Sequence, residues 1–203
     1  MGTSLLITLR ETFEASLIVG IMLAFLNRTQ NREHNPVIWA GVGAGILTSL
    51  SIAAWILHIG ASFEGEAEEL YEGVMMLIAA GLILWMVTWL ARNGKQMHAA
   101  IEQKMAFHLE TGALLSLFLL VYTSVLREGL ETVIFLQAAF FQSQSLTQNI
   151  GAIAGIVIAI GMAWLLFRGM LKWFPLGIFF KFSGILLTLF AISLIVEGVE
   201  ELL

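Results

Sequence analysis

Residues 9–14 read Leu-Arg-Glu-Thr-Phe-Glu and residues 126–131 read Leu-Arg-Glu-Gly-Leu-Glu, one charged pattern written twice at an offset of 117 positions. Each copy lies inside an apolar run, the first in Leu5–Leu26 and the second in Thr111–Phe141. A charged side chain at the centre of a membrane helix costs about 2.5–3.5 kcal/mol on insertion scales, so two copies of Arg-Glu-x-x-Glu in such runs are not a chance occurrence.

Outward from these motifs, four more apolar runs occupy the chain: Val37–Ile59, Leu70–Leu90, Ile150–Phe167 and Phe174–Val196. A hydrocarbon core of about 30 Å needs roughly 20 helical residues. The expected fold is therefore an all-α polytopic membrane protein with six transmembrane helices in a single membrane domain over residues 1–203. The run Thr111–Phe141 exceeds one span and should tilt, kink or project from the bilayer. No Lys or Arg precedes Arg10, and Arg10, Glu11 and Glu14 interrupt the apolar stretch, so the first run reads as a mature helix rather than a cleaved signal peptide.

Composition agrees. Hydrophobic residues make up 59% and charged residues 12%, against about 45–50% and 25% in soluble domains. That balance excludes a disordered chain, a secreted disulfide scaffold and a nucleic-acid binder. The chain has no Cys, which removes thiolate metal sites, iron–sulfur clusters and thiol nucleophiles.

Ten Lys and Arg are present. Arg10 and Arg127 sit deep inside runs; the rest gather around alternate connections: Arg28 and Arg32, then Arg92, Lys95 and Lys104, then Arg168, Lys172 and Lys181, the last near the start of the sixth run. The positive-inside rule places these connections in the cytoplasm and both chain ends outside. The outer side then carries Glu64, Glu66, Glu68, Glu69 and Glu72, with Glu197, Glu200 and Glu201 near the end.

The runs following the two motifs also open alike, with Gly41 and Gly45 in one and Gly151 and Gly155 in the other. Gly-x-x-x-Gly spacing lets helix backbones approach closely. Three runs separate the copies, so the motif helices must cross in opposite directions. Residues 1–91 and 111–203 are therefore expected to be two three-helix repeats of inverted topology, with a substrate site near mid-membrane where the repeats meet.

At 100° per residue the charges of each motif share a helix face. One arginine neutralises one carboxylate, which leaves Glu11, Glu14, Glu128 and Glu131 with a surplus of negative charge beside Arg10 and Arg127. If the faces meet, four carboxylates converge in a water-lined cavity, held by bidentate guanidinium hydrogen bonds, and the surplus requires a cation. All-oxygen ligands favour hard cations, Fe³⁺ first, with Mn²⁺, Fe²⁺ and Ca²⁺ accepting the same donors. Two other uses of the motifs stay open at this level: structural Arg–Glu clamps in a protein that transports nothing, and proton movement through the same carboxylates.

On these residues the sequence resembles the oxidase-dependent high-affinity iron permease family of fungi and its bacterial relatives in the iron/lead transporter group. Arg127-Glu128-Gly129-Leu130-Glu131 reads as that family's Arg-Glu-Gly-Leu-Glu motif, and Arg10-Glu11-Thr12-Phe13-Glu14 keeps its charged positions. Tyr71-Glu72-Gly73 and Phe182-Ser183-Gly184 extend the resemblance along the chain. The resemblance implies an iron permease in a plasma or bacterial inner membrane, with the four motif glutamates as ligands in transit and iron as cargo, no cofactor being permanently bound. It also implies an extracytoplasmic partner that oxidises Fe²⁺ or delivers iron. Thr12 and Phe13 stand where the family often has Gly and Leu, which bears on packing more than ligation. Family members commonly carry a seventh helix, whereas this sequence stops at Leu203, as a cut chain or a six-span form would.

Glu66, Glu69 and Glu72 share spacing that can gather cations at an entrance; a solvated acidic edge is the plainer reading. His58, His108 and Glu110 near run ends read as interfacial polar residues, and His34 and His98 as solvated. Met75-Met76 reads as adaptable packing. Trp39, Trp55, Trp85, Trp89, Trp164 and Trp173 lie mostly near run ends, as an aromatic belt does. No run holds His-Glu-x-x-His or a comparable nucleophile–base pair, so an intramembrane enzyme is not expected.

Overall fold

A computed structural model describes residues 2–93, 97–110, 114–142, 146–168 and 176–203. Among these the chain is helical, with no strand: α1 (Gly2–Arg28), α2 (Asn35–Gly60), α3 (Glu66–Asn93), α4 (Met97–Glu110), α5 (Leu114–Gln142), α6 (Leu146–Phe167) and α7 (Leu176–Glu200). Six of them carry the six apolar runs. α4 was not foreseen: its 14 residues mix polar and apolar positions without a run long enough to register as a span.

Helix ends follow local chemistry. Gln30 takes a positive φ of 60° after α1, and the Asn31 amide closes back on the Leu26 carbonyl at 2.9 Å, the 6→1 bond of a Schellman stop. Pro36 sits in the first turn of α2, where its missing N–H costs nothing. The acidic stretch Glu66–Glu69 forms the first turn of α3, where carboxylates complement the helix dipole.

Among the described residues three helices are long and apolar enough to cross a membrane by length and composition, in the segments Arg32–Gly60, Glu66–Asn93 and Gly177–Glu200; Asn149–Leu165 of α6 is a shorter apolar stretch. α1 and α5 have 27 and 29 residues, about 40 Å at 1.5 Å per residue, but each is interrupted by its charged motif. The bundle's outside is apolar: Leu47, Leu50 and Trp55 of α2, Val157 and Ile160 of α6, and Ile178, Phe182 and Leu189 of α7 are each more than half exposed. A soluble protein does not leave so much contiguous apolar surface bare.

Side by side, α1 packs along α6, α2 along α5 and α3 along α7, with α1 and α5 meeting in the middle. Glycines permit the close approaches. A Cβ on Gly45 would meet the Leu126 amide at 3.2 Å, and one on Gly155 would meet the Leu9 amide at 2.9 Å. Leu9 and Leu126 open the two motifs, so the two helix pairs make the same contact at matching positions. Gly73 and Gly198 bring α3 and α7 together in a reciprocal way, each facing the other's carbonyl at 2.9–3.0 Å.

Two buried apolar clusters flank the middle of α1 and α5. Ile7, Ile83, Phe135, Ala138 and Leu187 belong to one; Met22, Leu26, Ile38, Met105, Leu117 and Val121 form the other. Met105 comes from α4, which is tied to α1 by an Arg28–Glu102 pair at 3.0 Å.

Candidate functional site

Between those clusters lie the charged motifs. Arg10 and Glu11 are fully buried, and Glu14, Glu128 and Glu131 are each no more than 8% exposed. Helical spacing builds the same internal pair twice: Arg10 Nε lies 3.1 Å from Glu14 Oε1, and Arg127 Nε donates to Glu131 Oε1 at 2.8 Å. Both are i,i+4 pairs, the spacing at which neighbouring turns bring side chains together.

These pairs consume one glutamate per arginine. The remaining two, Glu11 and Glu128, are equivalent in the motif and converge. One carboxylate oxygen each from Glu11, Glu128 and Glu131 lies within 4.8 Å of the others. Neither oxygen of Glu11 has a hydrogen-bond partner, nor do Glu128 Oε2 and Glu131 Oε2. Burying a carboxylate without a partner is expensive, and several together are more so. A cation held by the three oxygens offsets that cost. The donors are hard oxygens from two helices, a set suited to iron or another hard metal ion.

The geometry departs from the sequence expectation in how the arginines bond and how closed the site is. The four motif glutamates do gather: three offer oxygens within 4.8 Å of one another, and Glu14, held by Arg10, adds its charge beside Glu11 and Glu128. The arginines do not make bidentate bonds: Arg127 uses Nε alone, and Arg10, with Nη1 3.7 Å from Glu11 Oε1, is held at ion-pair distance without good hydrogen-bond angles. The guanidinium planes follow their own helices, which aligns Nε with the i+4 carboxylate rather than aiming the fork across the interface. Around Arg10 and Glu11 the site is closed, both residues being fully buried.

An opening does exist on the other side. A cavity of about 320 Å³ borders the second motif, lined by Leu82 of α3 and by Thr123, Arg127, Leu130, Glu131 and Ile134 of α5 among others. The Arg127 side chain is 41% exposed, and its guanidinium carbon lies 5.3 Å from the Trp85 ring centre and 5.5 Å from that of Trp89. Sequence reading assigned both tryptophans to an aromatic belt. Their spacing of four, one helical turn apart on α3, was the available sign that they act as a pair.

Gly129 has a packing reason. The Ser49 side chain of α2 occupies the space where a Cβ at residue 129 would stand. The matching position in the first motif is Thr12, and the matching position on α6 is Ala159, fully buried against Leu9, Phe13 and Leu17. The larger residue has changed sides of the contact. Phe13 stacks edge-on against Phe179 at 5.2 Å.

The other sequence candidates stay apart from this cluster. Glu66 and Glu69 are exposed in the first turn of α3, and Glu72 is half-buried with Glu68 and Glu201 as its charged neighbours. His58 is exposed at the end of α2, and Met76 is buried in the apolar core. Lys95, Lys172 and Trp173 lie outside the described residues, as do the side chains of His98, His108 and Glu110.

Apolar outer helices around a buried carboxylate cluster define a helical integral membrane protein with an acidic centre. Residues 1–203 match the iron permease FTR1 family, and the chain belongs to it. It is 33% identical over 196 residues to the ferrous iron permease EfeU of Escherichia coli O6:K15:H31, covering 96% of this chain and 71% of that protein. The ferrous iron permease EfeU of Yersinia pestis is likewise 33% identical over 196 residues, covering 96% and 69%. No solved structure matches the chain.

Proposed function

We propose that this protein carries iron across a plasma or bacterial inner membrane, taking it as Fe³⁺ from an oxidation step on the outer side. Glu11, Glu128 and Glu131 hold the ion in transit and Glu14 exchanges with them, while Arg10 and Arg127 balance the charge. The observation that carries this reading is the surplus pair: after each arginine has taken its i+4 glutamate, Glu11 and Glu128 remain buried and brought together between α1 and α5, with Arg10, at 3.7 Å from Glu11, already shared with Glu14. A structural clamp needs only Arg10–Glu14 and Arg127–Glu131 and gives no reason for the other two. The relatives' names specify ferrous iron, which fits either Fe²⁺ as cargo or Fe²⁺ oxidised by a partner before entry; the trivalent ion is favoured here by a cluster of three carboxylates.

Six spans arranged as two inverted repeats, residues 1–91 and 111–203, complete the proposal, with the N-terminus outside. A twofold axis that exchanges α1 with α5, α2 with α6 and α3 with α7 turns the α1–α6 contact into the α5–α2 contact and leaves α1–α5 and α3–α7 as self-pairs. Those are the dominant contacts of the bundle, and Glu11 meeting Glu128 is what such an axis requires of equivalent residues. Glu66, Glu69 and Glu72 then lie at the outer entrance, where negative charge concentrates cations.

The test is radioactive iron uptake by metal-starved cells expressing the wild type or Glu11→Gln/Glu128→Gln, with iron offered as Fe²⁺ plus an oxidase or as chelated Fe³⁺, with and without excess Mn²⁺. Uptake should need the oxidase when Fe²⁺ is supplied, resist Mn²⁺ and be lost in the double variant. Uptake that survives the substitutions rejects the site, and strong competition by Mn²⁺ reassigns the metal.

A further inference from the structure

The two arginines differ in what surrounds them, and the difference points to residues outside both motifs. Arg10 is enclosed, with no aromatic ring within cation–π range among the described residues. Arg127 lies beside the α3–α5 opening against two indole rings from a third helix, Trp85 and Trp89. The Arg127 guanidinium is therefore shared: Nε holds Glu131 at 2.8 Å while the carbon end faces the rings.

Glu131 is one of the three converging carboxylates. An arriving cation must compete with Arg127 for it, and the guanidinium must then have somewhere to go. Toward lipid an arginine is costly. Over indole faces, the strongest of the aromatic cation acceptors, it is stabilised. We propose that Trp85 and Trp89 are positioning residues that form a seat for the Arg127 guanidinium, lowering the cost of its release from Glu131 when iron binds. The seat rests on the carboxylate site proposed above and deepens it, because it makes the charge balance of the second motif depend on α3. Trp85 is 52% exposed, so its ring contributes little to the core and its substitution is tolerated by the fold.

The test is iron uptake kinetics for Trp85→Leu/Trp89→Leu, each single Leu variant, Trp85→Phe/Trp89→Phe, and Trp55→Leu as an exposed tryptophan of α2 outside the ring contacts of Arg127. Losing both rings should raise KM for iron about tenfold, and each single loss about threefold, with maximal uptake changed by less than about twofold. The Phe pair should recover most of the affinity, since it keeps two ring faces, and Trp55→Leu should match the wild type. A wild-type KM in the double and single Leu variants, or equal defects for Leu and Phe, overturns the seat while leaving the carboxylate site standing. Uptake that persists in Glu11→Gln/Glu128→Gln overturns both. If the double Leu variant does not reach the membrane, the single variants decide by the same criterion.

Discussion

Arg10 and Arg127 occupy equivalent places in two copies of one motif, yet the first is sealed and the second is half open. Arg10 has no exposed surface and no hydrogen bond of good geometry, only the charges of Glu11 and Glu14. Arg127 has a proper hydrogen bond to Glu131, two ring faces and a bordering cavity. Identical local sequence at i and i+4 fixes the internal pair in both helices; the neighbouring helix decides the rest. Each motif helix has a closely packed partner, α6 on α1 and α2 on α5, but beside α5 an opening remains toward α3. For the proposed transport site, one enclosed and one more accessible counter-charge would let it hold an ion without trapping it.

The largest effect that would break this contrast is on stability. Arg10→Leu removes the fully buried cation held between Glu11 and Glu14 and is expected to cost about 3–5 kcal/mol, as breaking a buried pair does. Arg127→Leu removes a charge that is only partly buried and that borders an opening, and about 1–2 kcal/mol is expected. Thermal unfolding of the detergent-solubilised proteins reads the order directly. Equal losses would mean that the enclosure of Arg10 carries no energetic weight.

Next in size is the glycine pair. Gly155→Ala would press a methyl onto the backbone of α1, against the Leu5 carbonyl at 2.5 Å and the Leu9 amide at 2.9 Å, besides the Thr8 hydroxyl. Gly45→Ala meets the Val125 side chain at 3.0 Å and the Leu126 amide at 3.2 Å, a looser contact. Overpacking costs about 1–3 kcal/mol, and Gly155→Ala should fall at the top of that range with Gly45→Ala at the bottom. The same unfolding measurement checks it, and a reversed order would show that α1–α6 is not the tighter pair.

How much of this the sequence disclosed depended on whether the signal was local. The i,i+4 pairing within each motif, the helices carrying the six apolar runs and the glycine approaches all follow from spacing along one helix, and each was readable. Which carboxylate oxygens come closest was not: Glu11, Glu128 and Glu131 approach within 4.8 Å because of how α1 and α5 meet, and nothing along either helix alone fixes that. Trp85 and Trp89 were legible as a pair but not as partners of Arg127, since nothing on α3 announces which face meets α5. α4 escaped because a short helix of mixed polarity resembles a connection; only its packing, with Met105 buried among residues of α1, α2 and α5, gives it a place.

The smallest test concerns Thr8 and its equivalent Val125, one residue before each motif leucine. The Thr8 hydroxyl hydrogen-bonds the Ser4 carbonyl of its own helix at 2.9 Å and reaches the Ala152 carbonyl of α6, also at 2.9 Å. Val125, at the matching place on α5, offers α2 only methyl groups beside Gly45. Thr8→Val therefore gives α1–α6 the chemistry that α5–α2 already has, at nearly unchanged volume. Hydrogen bonds between membrane helices average about 0.6 kcal/mol because the separated helices also satisfy their polar groups, so a loss near that value is expected, with iron uptake retained. A loss several times larger would mean that the hydroxyl, rather than the close glycine contact, fixes α6 against α1, and the sealed character of the first motif would then rest on a single polar contact that the second motif lacks.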